Sequence, residues 1–521
     1  MIALTVAEVA AATGGRLHPD GLDPARMVHG PVVVDSRQVE AGSLFVALPG
    51  EHADGHDYAA AAVSAGAALV LGARPVTGPD GADLPVVVVD DVERALGDLA
   101  REVLLRLRTD DETGATRLSV VGVTGSVGKT TTKDLLLQLL TPTGPTIAPV
   151  ASFNNEIGLP LTVLRADEST RYLVLEMGAS GLGHLTYLTG IAPPDVSVVL
   201  VVGSAHLGEF GGIEAVARAK SEIVAGLAPG GVAVLNADDM RVAAMADLAP
   251  GDVTTFGTTA GADVRATGLR VDRAGRASFT LTAGGAPADV ALRLVGEHHV
   301  HNALAAATVA LRLGVPLADV AERLSGAGPL SPHRMHVVER PDGVTVIDDS
   351  YNANPDSMRA ALKTLAIVSG RDRRSVAVLG EMLELGEDHR TAHEALGLMV
   401  VRLNIGLTVV VGAGAQPIAD GALREGSWGD EVAMVDDVDS AAAFLADELR
   451  PGDVVLVKSS YGAGLWRLGD ILTAAGTPDG APDGRTAGTP DGAPDGRTAG
   501  TADGTPDGTA DGAAEPAGTG R

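Results

Sequence analysis

The chain has 521 residues, no cysteine and a formal net charge of −28, with 45% hydrophobic and 20% charged side chains. That length exceeds a single hydrophobic core and implies two to four domains. Disulfides and thiolate metal sites are excluded, and the acidic balance argues against a nucleic-acid-binding face, which needs clustered cations.

The first α/β stretch, to about Asp110, carries short apolar runs at 31–34, 43–47, 68–71 and 86–89, which predict strands between Ala-rich helical patterns. Its opening residues, Met1 to Gly14, lack a basic segment followed by an apolar core, so no signal peptide is expected. No apolar run anywhere reaches the roughly 18 residues of a membrane helix, which predicts no membrane insertion and leaves the cytoplasm as the default compartment. A polar break at 109–114 precedes a second stretch with strands expected at 118–123, 172–175, 196–202 and 232–235, alternating with helices. Such alternation predicts a parallel, doubly wound sheet. After Gly326-Ala327-Gly328-Pro329 a third stretch has strands expected at 344–347, 375–379, 407–411 and 454–457, a second parallel-sheet domain. The predicted domains are therefore 1–112, 113–328 and 329–474. From Ala475 onward a twelve-residue Pro/Gly/Asp repeat starts at Thr477 and again at Thr489. With no aliphatic side chain larger than alanine's beyond its prolines, residues 475–521 cannot offset their ordering entropy and are predicted to be disordered. The tail carries eight acids against three arginines, so −23 of the charge belongs to the rest. A phosphate-bearing substrate must then be held by local cations and backbone amides.

The apolar run 118–123 leads into Thr124-Gly125-Ser126-Val127-Gly128-Lys129-Thr130-Thr131 and then into a helical run at 133–140. Strand, Gly-rich turn and helix start together aim backbone N–H groups and a positive dipole end at a phosphate. Lys129 would reach the β/γ-phosphates and the Thr130 hydroxyl would ligate Mg²⁺. Val123 stands where the common phosphate-loop pattern has its first glycine. Glu176 ends one predicted strand and His206 follows another. In a parallel sheet, residues beyond the carboxyl ends of strands converge on one crevice, which groups both with the phosphate loop. Lys220 falls on an apolar helix face marked by Ile213, Val216, Ala217, Ile223, Val224 and Leu227. A lysine there must snorkel, pair, or lose its charge. Snorkelling is the ordinary outcome; a salt bridge to phosphate or conversion to a carbamate metal ligand are the functional ones.

These residues resemble the Mur ligase family of peptidoglycan synthesis over nearly everything from Val6 to Leu468. The first stretch has Asp35-Ser36-Arg37, Gly42-Ser43-Leu44-Phe45-Val46-Ala47-Leu48 and Asp54-Gly55-His56. The second has the phosphate loop, Asn154-Asn155-Glu156-Ile157-Gly158, Glu176-Met177-Gly178, Ala205-His206-Leu207 and Ala219-Lys220-Ser221-Glu222-Ile223. The third has Asp348-Asp349-Ser350-Tyr351-Asn352-Ala353-Asn354-Pro355 and Leu379-Gly380-Glu381-Met382-Leu383-Glu384-Leu385-Gly386. The resemblance implies an α/β, three-domain architecture: a small UDP-precursor-binding domain, a central P-loop domain and a Rossmann-like domain closing over ATP.

It further implies an ATP-dependent ligase that adds D-alanyl-D-alanine to UDP-N-acetylmuramoyl-tripeptide through an acyl phosphate, as a monomer. Ser36, Arg37 and Asn155 would bind the UDP precursor. The nucleotide would be held by Gly125, Ser126, Val127, Gly128, Lys129, Thr130 and Thr131, with Asn302 at adenine, Arg334 at the γ-phosphate and Asp349 or its neighbour at the ribose. Thr130 and Glu176 would hold one Mg²⁺, and His206 with carbamylated Lys220 a second. The departures are His298-His299 for the usual His-Asn, Arg334-Met335-His336 for Arg-Met-Glu, and Lys458-Ser459-Ser460-Tyr461 for Lys-Gly-Ser-Arg. The C-terminal departures lie where the acceptor would dock. The nearest alternatives are the preceding ligase, whose Asp-Asn-Pro-Arg element is absent here, and a paralogue using a modified dipeptide such as D-alanyl-D-lactate. A folylpolyglutamate synthetase would lack the Asp-Ser-Arg pattern of the first stretch, and a non-catalytic nucleotide-binding protein would not need Glu176, His206 and Lys220.

Overall fold

A computed structural model describes residues 1–50, 53–108, 118–150, 152–203, 212–426 and 430–474. His206 and the repeat tail lie outside the described residues. Three main sheets follow one another along the chain, with a two-stranded pair, Leu4–Thr5 and Met27–Val28, beside the first. The first sheet has five strands in the order Arg16–His18, Val86–Val88, Leu69–Gly72, Leu44–Val46 and Val32–Val33. Only the edge strand Arg16–His18 runs antiparallel to its neighbour. The strand expected at 31–34 shortens to Val32–Val33. Proline 31 has no N–H to give a ladder, and Asp35 leaves it to cap the 3₁₀ turn Ser36–Gln38 by accepting from Arg37 N–H.

The central sheet has nine strands. The phosphate-loop strand Ser119–Thr124 lies between Tyr172–Glu176 and Val196–Val199, parallel to both. Their near-complete burial explains the apolar runs, since a parallel strand is covered on both faces. Register pairs Glu176 with Val123 and Val199 with Thr124, which brings three carboxyl ends to one edge. The strand expected to reach 202 stops at Val199 because the next residues carry the phosphate loop. Leu200 N–H donates to Thr124 O (3.0 Å), and Val201 O accepts from Ser126 N–H (2.9 Å).

The far half of this sheet is an antiparallel meander, Val264–Val271, Arg276–Ala283 and Ala286–Val295, that the sequence reading did not anticipate. Its turn is Gly284-Gly285, both left-handed at φ 56° and 80°, the conformation a two-residue hairpin turn requires. Ala277, Phe279 and Leu281 alternate inward onto the helices His299–Arg312 and Leu317–Gly326.

The third sheet orders His336–Glu339, Thr345–Asp348, Val454–Lys458, Ser375–Leu379, Leu407–Val411 and Val432–Val435, parallel beyond its first pair. Its two apolar layers are built almost wholly from residues after 335. The first and central sheets are not separated so cleanly. Leu96, Leu99 and Val103 of the helix Val92–Arg108 share one buried cluster with Leu159, Val163, Leu188 and Ile191. The polar break after this helix therefore interrupts the chain but not the core.

Candidate nucleotide and metal site

The helix after the phosphate loop begins at Lys129, four residues before the predicted run, and ends at Leu140. The polar residues Lys129 to Thr132 hid this first turn from an apolar-periodicity reading. Gly128 takes its N-cap in a left-handed conformation at φ 89°, and a Cβ there would overlap the Asn302 carboxamide oxygen. At Gly125 a Cβ would meet Leu200 Cβ at 2.8 Å. Both glycines thus let backbone pass where a side chain could not. Lys129 Nζ donates to Gly125 O (3.0 Å), folding its side chain back over the loop. Burial pushes its pKa below the usual lysine value, opposed by Glu176.

Glu176 is 1% exposed and accepts from two sides. Thr130 Oγ1 donates to its Oε2 at 3.0 Å, and Asn154 Nδ2 donates to its Oε1 at 2.9 Å. Thr130 Oγ1 also lies 2.9 Å from Ser152 Oγ, which accepts from Arg334 Nη2 at 3.2 Å. Ser152 therefore links the predicted Thr130 and Arg334, while Asn154 holds the other oxygen of Glu176. Asn155, expected at the substrate, uses its Oδ1 to accept from Gly158 N–H (2.9 Å) at the start of the next helix. The signal for Asn154 was the Asn-Asn pair itself, since one amide can hold the turn while the other reaches the carboxylate.

Lys220 lies within the helix Ile213–Ala225, 3% exposed, between the buried residues Ala219 and Ile223. Ala217, expected on the buried face, is half-buried, and Ala215 takes that role. Among the described residues Lys220 makes no ion pair. Desolvation, with the charge of Lys129 adding to it, lowers its pKa to about 7. Snorkelling is ruled out by that burial, and near neutral pH a substantial share of the amine is uncharged.

Arg334 sits in the linker to the third sheet, between two non-glycine residues in left-handed backbone, His333 at φ 55° and Met335 at φ 51°. Its guanidinium lies 4.3 Å above the Tyr351 ring. Tyr351 neighbours Tyr461 at 5.5 Å, and Tyr461 stacks on Trp466 at 5.7 Å with 9° between planes. The position where the family pattern has a cation thus carries one rung of an aromatic ladder that ends on Arg334.

Asp349 is engaged twice. Its Oδ1 accepts from Met335 N–H (3.1 Å), and its Oδ2 pairs with the buried Lys458 Nζ at 2.5 Å. Asn302 is buried beside Gly128, with its Nδ2 3.2 Å from His299 Nδ1. Asn354 Nδ2 reaches Ser126 O at 3.4 Å, so the third segment already touches the phosphate loop. Ser36 and Arg37 are on the turn beside the first sheet, where Arg37 pairs with Asp35 at 2.9 Å.

Three family models match in chain order: "Mur ligase family, catalytic domain" over 29–103, "Mur ligase middle domain" over 123–310, and "Mur ligase, glutamate ligase domain" over 333–461. The UDP-N-acetylmuramoyl-tripeptide–D-alanyl-D-alanine ligase of Mycobacterium tuberculosis H37Rv is 47% identical, covering 92% of this chain and 99% of that protein. The enzyme of the same name from Bacillus subtilis is 33% identical, covering 89% and 96%. Among solved structures, MurF from Acinetobacter baumannii matches with a TM-score of 0.79 at 32% identity, over 91% of this chain and 99% of that one. MurF from Thermotoga maritima in complex with ADP matches with a TM-score of 0.70 at 31% identity, over 85% and 97%. Phosphate loop, carboxylate edge, linker arginine and these likenesses agree on one assignment: the chain belongs to the Mur ligase family.

Proposed function

We propose that the chain joins D-alanyl-D-alanine to UDP-N-acetylmuramoyl-tripeptide, consuming ATP and releasing ADP and phosphate. The observation that carries this reading is the Thr130–Glu176 pair at 3.0 Å beside Lys129 and the Arg334-bearing Ser152. A hydroxyl and a carboxylate meeting in a buried cradle are hard oxygen donors, the kind that suits Mg²⁺ beside nucleotide phosphates. Mg²⁺, held by Thr130 and Glu176 and, at a second position, by His206 and a carbamate on Lys220, would supply positive charge to the phosphate oxygens. The neutral form of the Lys220 amine, made accessible by burial, is the one able to attack carbon dioxide, which supports the carbamate over a simple ammonium.

A carboxylate is a poor electrophile, so the tripeptide's terminal carboxylate attacks the γ-phosphate and becomes an acyl phosphate. Lys129 and Arg334 spread the charge that develops on the transferred phosphoryl group. Asn302 and Asp349 would orient adenine and ribose, Ser36, Arg37 and Asn155 the UDP precursor. The third segment, already in contact with Ser126, would shield the acyl phosphate from water. The dipeptide amine then attacks the acyl carbon and phosphate leaves.

Phosphate release measured over a matrix of UDP-peptides against amino acids and dipeptides tests the reading. Turnover is expected only with UDP-tripeptide and a D,D-dipeptide or its lactate analogue together. ATP hydrolysis that needs neither substrate would overturn it. Lys129→Ala should lower turnover at least about 10²-fold, the scale of a lost charge-stabilising donor, with unfolding unchanged. Lys220→Ala should do likewise and regain part of its rate with a short added carboxylate; no regain at any concentration would remove the carbamate.

A further inference from the structure

Beside the nucleotide site, on the two loops that hold Glu176, lies a hydrogen-bonded chain of three side chains that no step above uses. Ser180 is four residues beyond Glu176, and Glu156 is two beyond Asn154. The loops are laced together by Asn154 Nδ2 donating to Glu176 and by Gly178 N–H donating to Asn154 O (2.7 Å). His184 opens the helix His184–Ile191 between them. Its Nδ1 accepts from Ser180 N–H at 3.1 Å and lies 2.8 Å from Ser180 Oγ, while its Nε2 is 3.0 Å from Glu156 Oε2.

The backbone N–H fixes the proton positions. It can only donate, so Nδ1 is the unprotonated nitrogen and Nε2–H points at the Glu156 carboxylate. The Ser180 hydroxyl then donates to Nδ1, which leaves the lone pairs of an exposed Oγ free to accept a proton from outside. The His184 side chain is 14% exposed, and Glu156, whose pKa is held below the usual glutamate value by its bond to His184, is 37% exposed.

Acidic groups lie around this chain of side chains. Glu93 of the helix Val92–Arg108 is coupled to Glu156, Asp91 and His184, and burial raises its pKa. Tyr187, one turn along His184's own helix, is pushed up to about 12 by burial and the same acids. Glu222, from the helix of Lys220, accepts from Gly183 N–H (2.7 Å), Thr186 N–H (2.9 Å) and Thr186 Oγ1 (3.0 Å), fixing where His184 begins. Acids therefore lie near the imidazole from the loop and from the first segment, while Glu222 of the Lys220 helix holds the start of its helix.

We propose that Ser180, His184 and Glu156 form the proton relay for the amine that attacks the acyl phosphate, an inference that rests on the ligase reading above. The dipeptide's ammonium gives one proton to Ser180 Oγ as the serine's own proton passes to His184 Nδ1, which leaves a neutral amine to attack the acyl carbon. As the N–C bond forms and the acyl C–O bond to phosphate breaks, the nitrogen's second proton leaves with the phosphate, and the imidazolium returns its proton to solvent. Ser180 is the group that touches the substrate; His184 and Glu156 act through it.

The test compares two nucleophiles on one acyl phosphate. D-alanyl-D-alanine arrives largely as an ammonium near neutral pH and needs a proton acceptor; hydroxylamine is unprotonated there and does not. With ATP and UDP-tripeptide, His184→Gln is expected to lower dipeptide ligation about 10²-fold at pH 7, the low end for a lost general base. Hydroxamate formation should stay at the wild-type rate, and ligation should recover as pH rises towards the amine's own pKa. Ser180→Ala, at an exposed position, should repeat the split in an independently folded variant. Parallel loss with both nucleophiles, or no loss with the dipeptide, would overturn the relay. A wild-type enzyme that makes no hydroxamate from UDP-tripeptide would instead sink the ligase reading beneath it.

Discussion

His299 stands where Mur ligases usually carry asparagine, and its neighbourhood gives the substitution a measurable cost. It is buried against His298, ring centroids 4.1 Å apart, and its Nε2 has no hydrogen-bond partner among the described residues. Burial, reinforced by the neighbouring imidazole, holds His299 well below the usual histidine pKa; burial lowers His298 to about 4. In the unfolded chain both would titrate near about 6.5. Between those values the unfolded state binds more protons than the folded one, so stability falls as pH drops from about 6.5 through 4. His299→Asn should flatten that slope, seen as a smaller drop in unfolding midpoint between neutral and acid buffer. An unchanged slope would mean the folded pair is solvated. The site was legible in the sequence where chemistry and topology agree: Lys129, Thr130 and Glu176 each follow from a strand end or a glycine turn. It was illegible at Ser152 and Ser180, ordinary loop residues whose places come only from the loops lying side by side.

At the scale of elements, the helix Lys129–Leu140 does more than present a phosphate-binding end. Its buried Lys133 pairs with Asp134 at 2.6 Å and donates to Pro149 O (3.0 Å) and Ser331 Oγ (3.3 Å). Asp134 accepts from Ser331 N–H at 3.0 Å. The phosphate-loop helix thereby grips the linker three residues before Arg334. Asp134→Asn would strand the Lys133 charge and release that linker. We expect a loss of about 3–5 kcal/mol in denaturant unfolding, the scale of breaking a buried pair, together with a fall in kcat. Full kcat in the folded variant would show that Arg334 is placed without the grip. The parallel strands were readable because two-sided burial writes continuous apolar runs, as in Ser375–Leu379. The meander was not, because Arg276–Ala283 alternates buried and exposed residues and needs its Gly284-Gly285 turn to be recognised first.

Across the whole molecule, the helix Val92–Arg108 fuses the first and central sheets through one apolar cluster, while the third sheet keeps its own layers beyond the Ser331–Met335 linker. Motion between substrates is thus expected at that linker rather than after Arg108. Removing residues 475–521, which the sequence predicts to be disordered, should leave kcat/KM and unfolding temperature unchanged, and a drop in either would assign the repeat a docking role. The cap that Glu222 places on the helix of His184 reaches further than the fold. Because Glu222 is two residues from Lys220, one inherited change there disturbs the neighbourhoods of two sites at once, and neither can repair the other. In a lineage of such ligases, substitutions at 222 and at 183–186 should arrive together, leaving a paired signature in descent where the individual residues look replaceable.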